Sequence, residues 1–145
     1  MGGRVRLALK IGQGDLRNIH RHAEEAYPEE CAGALVGMDV GEVKIVVDVW
    51  RAENTHEEER SRRFLIRPEQ VREFEERARE RDMDVLGFYH SHPDHPAEPS
   101  EYDREHAWPY YSYVIASVTQ EGVKDVKSWV LRDDRSGYEQ EELVR

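Results

Sequence analysis

The segment Asp84–His90 limits the possible folds of this chain more than any other, because Val85-Leu86-Gly87-Phe88-Tyr89 runs without a polar residue. A strand sends alternate side chains to opposite faces, so an unbroken apolar run needs cover on both sides. The segment reads as a buried strand, and the rest of the chain must supply what packs against it. Two stretches have the spacing to do so. From Asp15 to Tyr27, the residues Leu16, Ile19, His20, Ala23 and Ala26 fall on one helical stripe that ends at Pro28. Pro68 opens a second helix through about Arg81, with Val71, Phe74 and Ala78 on its apolar face.

The other apolar runs are short. Val5–Leu9 reads as a first strand. Gly33–Val36 and Val43–Trp50 read as a hairpin turning around Asp39–Gly41. Arg51–Arg63 is polar and charged, which predicts a surface loop, and Phe64-Leu65-Ile66 predicts a short strand after it. Ser112–Val118 and Val126–Leu131 predict two more strands, with a last one in the tail from Gly137. Strands and helices interleave through hairpin-like and crossover connections. The expectation is an α/β fold in which a mixed β-sheet is flanked by helices. At 145 residues, with no linker or repeat, residues 1–145 are expected to form a single domain.

Composition removes several classes of function. The formal charge of −10 lacks the surplus of Lys and Arg that nucleic-acid binding needs. There is one cysteine, Cys31, so an internal disulfide and a four-cysteine zinc site are both excluded. The N-terminus has no signal-peptide core, and no apolar run is long enough to span a membrane. A cytoplasmic protein is expected. The acidic, Lys-poor composition fits a salt-rich cytoplasm and GC-rich coding equally well.

The buried strand ends in His90-Ser91-His92-Pro93, followed at Ser100 by Ser100-Glu101-Tyr102-Asp103. Side chains two apart on a strand share a face, so His90 and His92 present their rings together, an arrangement suited to a divalent metal. Pro93 stops the strand and lets the chain return with a third ligand. Ser100 is a candidate helix N-cap, and Asp103 lies one turn further on the same side. Two His and one Asp leave a fourth position for water, as in a catalytic zinc site. Ser-x-x-Asp is equally the pattern of a capping box, whose side chains satisfy backbone N–H groups.

The spacing His90-x-His92, seven residues, Ser100, two residues, Asp103 resembles the signature of the JAMM (MPN+) zinc metallopeptidases, and more closely their compact prokaryotic branch. The family's upstream glutamate stands in a Pro-x-Glu-x-x-Gly context before an apolar strand. Here that context is Pro28-Glu29-Glu30-Cys31-Ala32-Gly33, which selects Glu30; a shift of one place would select Glu29. The match departs at Ala32, where many bacterial relatives have cysteine.

The resemblance implies the JAMM/MPN sandwich, similar to the cytidine deaminases, with one Zn2+ per chain held by His90, His92 and Asp103. Deamination itself is excluded, since it uses a Cys-x-x-Cys zinc pair. Glu30 is implied as the base that activates water at the metal, and Ser100 as a donor to the developing oxyanion. The implied reaction is hydrolysis of a peptide or isopeptide bond after the C-terminal Gly-Gly of a ubiquitin-like or sulfur-carrier (ThiS/MoaD-like) protein. A general small-peptide or amide metallohydrolase, and a non-catalytic MPN scaffold module, are the alternatives. Neither a nucleic-acid nor a membrane partner is expected, and the oligomeric state is left open. Among the other candidates, His20 and His22 read as surface residues and Cys31 as a small core residue. His106, one turn after Asp103, could support it, and Trp108, Tyr110, Tyr111 and Tyr113 read as core, with lining of the site as the alternative.

Overall fold

A computed structural model describes residues 8–53 and 66–145 of the chain. Strand β1 (Ala8–Lys10) leads into helix α1 (Gln13–Ala26), and the hairpin strands β2 (Ala32–Asp39) and β3 (Val43–Arg51) follow. Next come α2 (Pro68–Glu80), β4 (Asp84–Pro93), the short α3 (Glu101–His106), and strands β5 (Ser112–Thr119), β6 (Gly122–Leu131) and β7 (Tyr138–Val144). The strand expected over Val5–Leu9 is described only from Ala8, where it continues to Lys10. Most of the Arg51–Arg63 loop and the short strand at Phe64-Leu65 lie outside the described residues.

The strands form one mixed sheet in the order β1-β3-β2-β4-β5-β6-β7, and β1 closes it by pairing with both β3 and β7. Pairings of β1 with its neighbours and of β4 with β5 are parallel; the others are antiparallel. The sequence predicts a mixed sheet but not its closure, which depends on three residues that pair on both sides.

Each face of the sheet has its helix. Leu16, Ile19 and Ala23 of α1 are buried with Leu35, Leu86, Tyr89 and Val114 on one side. Phe74 and Ala78 of α2 are buried with Ala34, Val36, Val85 and Phe88 on the other. Leu86 and Tyr89 of β4 thus enter one core and Val85 and Phe88 the other, across an irregularity in the β2–β4 register, which is why its sequence is apolar throughout. Burying a Leu, Ile or Phe side chain contributes about 1.5–3 kcal/mol. Among the described residues no helix is long and apolar enough to cross a membrane.

His20 and His22 are not surface residues: both are half-buried. The Nδ1 of His22 shares a hydrogen bond with the Tyr89 hydroxyl at 2.7 Å, joining α1 to β4. Burial pushes the His22 imidazole down to about 4; the Arg51 charge adds to this and Glu25 opposes it. The helical pattern shows His22 one place from the apolar stripe, but the reach of Tyr89 through the sheet is a tertiary fact.

Gly87 is required where β4 meets β5. A Cβ built there would lie 1.9 Å from the Ser112 carbonyl oxygen, on the backbone of the paired strand. Gly87→Ala must therefore push two central strands apart. We expect a loss on the order of 3 kcal/mol, read from urea unfolding. A change below about 0.5 kcal/mol would refute the close approach.

The His22 shift has a definite sign. Its folded value lies below the ordinary 6.5, so the unfolded chain takes up the proton first. Its contribution to stability is full above about pH 6.5 and is lost as pH falls toward 4. Urea midpoints measured between those limits should fall for the wild type, and fall less steeply for His22→Gln. Parallel curves would remove His22 as the cause.

Candidate metal centre

The last residues of β4 carry two histidines on one face, and pairing on both sides fixes their direction. His90 is in register with Ala32 of β2 and with Ile115 of β5, and His92 with Ser117. The two Nε2 atoms lie 3.1 Å apart. From the beginning of α3, Asp103 brings Oδ1 to 3.4 Å from His90 Nε2 and Oδ2 to 3.2 Å from His92 Nε2. Donor atoms of the three side chains all lie within 4.8 Å of one another. Ligands about 2.0–2.1 Å from a tetrahedral zinc stand roughly 3.3 Å from each other. The observed spacings match that figure, so the three side chains fit a metal of this size.

Their protonation is set to suit a cation. His92 Nδ1 donates to the Pro96 carbonyl at 2.9 Å, so the neutral ring offers its Nε2 lone pair to a cation, whereas the protonated ring donates Nε2–H to Asp103. Burial by itself would lower the His92 pKa. The Asp103 hydrogen bond, the Pro96 carbonyl and the charges of Asp103 and Glu30 outweigh it and raise the value. For Asp103, burial would favour the neutral acid. The charge of His90, hydrogen bonds from both rings and the Ser100 N–H override that and hold the carboxyl far below the usual range. A raised histidine beside a depressed carboxylate marks a place that stabilises positive charge.

The capping box is also present. Ser100 Oγ accepts the Asp103 N–H at 3.0 Å, and Asp103 Oδ2 accepts the Ser100 N–H at 2.8 Å. The two readings of Ser-x-x-Asp are therefore compatible, since the cap uses one carboxylate oxygen and leaves Oδ1 turned to His90. Ser100 is exposed, and its cap occupies an oxygen lone pair while leaving the hydroxyl hydrogen free to donate.

Glu30 lies in the connection between α1 and β2. Cys31 N donates to Ser91 Oγ at 2.9 Å, and Ser91 N donates to the Cys31 carbonyl at 3.0 Å. These bonds extend the β2–β4 pairing past Ala32 and His90. Glu30 comes one residue earlier, near enough to His92 for its charge to raise that histidine's pKa. Cys31 itself is buried, and burial pushes its thiol up to about 11, which suits a core residue.

Two expectations change. His106 turns its Nδ1 to the Tyr102 carbonyl at 2.9 Å and stacks on the Tyr102 ring, so it does not support Asp103 through that nitrogen. Tyr110, 41% exposed, is not core, and neither is Trp108, which is 64% exposed. Trp108 flanks a cavity of about 560 Å³ that also involves Phe88, Tyr102, Tyr113 and Tyr138 and reaches His90 and Asp103. The aromatic composition of this segment is compatible with core or with lining of the site, and the fold puts Trp108 and Tyr113 beside this space.

Residues 13–132 match the family described as prokaryotic homologs of the JAB domain. A desampylase from Haloferax volcanii is 34% identical over 117 residues, covering 77% of this chain and 81% of that protein. Among solved structures, a protein from Desulfitobacterium hafniense superposes with a TM-score of 0.80 at 28% identity, covering 94% of this chain and 91% of that one. A protein from Salinibacter ruber gives 0.73 at 38% identity, with 94% and 90% covered. A JAB1/MPN domain protein from Archaeoglobus fulgidus shares the fold, with a TM-score of 0.57 at 23% identity and 94% and 99% covered. On the extent of the family match and the shared fold, the chain belongs to the prokaryotic JAB/MPN family.

Proposed function

We propose that this protein is a zinc-dependent peptidase that cleaves the bond after the C-terminal Gly-Gly of a ubiquitin-like or sulfur-carrier protein. The observation that carries the reading is the triangle of His90, His92 and Asp103, whose donor atoms stand 3.1, 3.2 and 3.4 Å apart. The relative named desampylase, an activity on ubiquitin-like conjugates, supports the substrate class.

His90, His92 and Asp103 would hold the metal through Nε2, Nε2 and the carboxylate. Zinc, when bound, would supply a Lewis acid that acidifies water and polarises the scissile carbonyl. The Glu30 carboxylate accepts the proton of the attacking water and passes it to the leaving amine. Ser100, with its oxygen engaged in the helix cap, donates its hydroxyl hydrogen to the oxyanion. The Pro96 carbonyl keeps His92 in the tautomer that offers Nε2. A substrate chain has room beside the site in the aromatic cavity.

That cavity is also the observation favouring a general small-peptide or amide hydrolase, because its volume of about 560 Å³ admits bulky side chains. The non-catalytic scaffold reading is opposed by the complete candidate set of ligands, base and hydroxyl.

Metal analysis after reconstitution should find about one zinc per folded chain, as a three-ligand site with an open position requires. His90→Ala and His92→Ala should each abolish it, whereas Glu30→Gln should keep the metal and lose nearly all turnover. Ser100→Ala should slow cleavage by roughly 10²–10³. Wild type without specific zinc would refute the centre; inactivation by Glu29→Gln but not by Glu30→Gln would move the base by one residue.

Substrate choice is tested with ubiquitin-like sulfur carriers extended beyond Gly-Gly and followed by mass spectrometry. Cleavage is expected after the second glycine and should be suppressed when that glycine is replaced by Val. Equal cleavage of both fusions would favour the general hydrolase.

A further inference from the structure

The proposed base stands on a connection, Tyr27–Cys31, that is fastened at both ends to the segment carrying the candidate histidines. On the β2 side the fastening is the pair of bonds between Cys31 and Ser91, the residue between His90 and His92. On the α1 side, three residues before Glu30, the Tyr27 hydroxyl reaches the carboxylate of Asp94, two residues after His92. Its oxygen lies 2.9 and 3.1 Å from the two carboxylate oxygens.

Both partners of this second bond are firmly mounted. Tyr27 caps α1, with its N–H on the Ala23 carbonyl at 3.1 Å, and its ring packs against the α1 core. Asp94 follows the last residue of β4, with its N–H on the Val118 carbonyl at 2.7 Å. The bond therefore joins the end of a helix to the end of a central strand, 67 residues apart in sequence. Asp94 is exposed, so losing the bond leaves no deeply buried carboxylate stranded, and fold stability has little need of it. A base requires more, because proton transfer needs heavy atoms within about 2.6–3.2 Å. A displacement of about 1 Å can cost 10²-fold in rate.

We propose that Tyr27 and Asp94 form a clamp that positions Glu30 over the candidate metal centre, so that Tyr27 is a positioning residue acting through Glu30. The catalytic part of this proposal rests on the peptidase reading; the mechanical part does not.

The test compares full-length Tyr27→Phe, Asp94→Ala and the double variant with wild type. Amide hydrogen exchange at Glu29 and Glu30 reports on the connection. Zinc content, melting temperature, kcat and KM on a Gly-Gly fusion report on the rest. Zinc content should be unchanged and melting temperatures should stay within a few degrees of wild type. Exchange at both amides should rise about tenfold, as expected for loss of one hydrogen bond. kcat should fall by about tenfold with KM within about twofold, and the double variant should be no worse than either single one. Should Tyr27→Phe fail to fold, Asp94→Asn supplies the milder perturbation and the same readouts apply. Wild-type exchange rates in the single variants, or multiplying effects in the double variant, would overturn the clamp. If wild type cuts no fusion, the peptidase reading fails while exchange still decides whether the clamp exists.

Discussion

The site forms where it does because β4 pairs with different polarity on its two edges. Antiparallel β2 begins beside the end of β4, so whatever precedes β2 must lie next to whatever closes β4. Glu30 is thereby brought to the histidines. Parallel β5 must start at the opposite end, so the chain leaving Pro93 needs a long crossover before it can pair. That crossover contains α3, whose first turn returns Asp103 to the face it has just left. A β4–β5 hairpin would leave no such length, and the third donor would be lost.

Coverage of both faces of β4 makes this arrangement stiff. α1 and α2 bury opposite sets of its side chains, and the contact of Gly87 with the Ser112 backbone locks its register to β5. The histidines are therefore mounted on the best-packed strand, while Glu30 and Asp103 approach from connections. Connections need local fastening, and the structure provides it through the Cys31–Ser91 bonds, the capping box at Ser100 and the hydrogen bond from Tyr27 to Asp94. One group can serve both purposes: Asp103 caps the start of its own helix with one oxygen and faces His90 with the other.

The electrostatic character follows from the same crowding. Three electron-rich groups within hydrogen-bond distance of each other are tolerated only if positive charge is shared among them, as protons or as a cation. The opposed shifts of His92 and Asp103 record that demand. Around this polar point the walls are aromatic, and Trp108 is exposed in a way that core packing does not explain.

Much of this was legible in the chain of residues. Periodicity placed α1 and α2, the unbroken apolar run marked β4 as covered on both faces, and the spacing of His90, His92, Ser100 and Asp103 pointed to a metal. Those features are local, since strand alternation and a helical turn act over a few residues and leave their mark in order along the chain. Closure of the sheet by β1, the burial of His22 against Tyr89, the exposure of Trp108 and the fastening of Tyr27 to Asp94 were decided by the tertiary structure alone. Each depends on residues distant in sequence meeting at one point, and a single sequence carries no periodic signal for such meetings. The residues themselves determined which chemistry this protein can hold; the closing of the sheet determined which of them share a site.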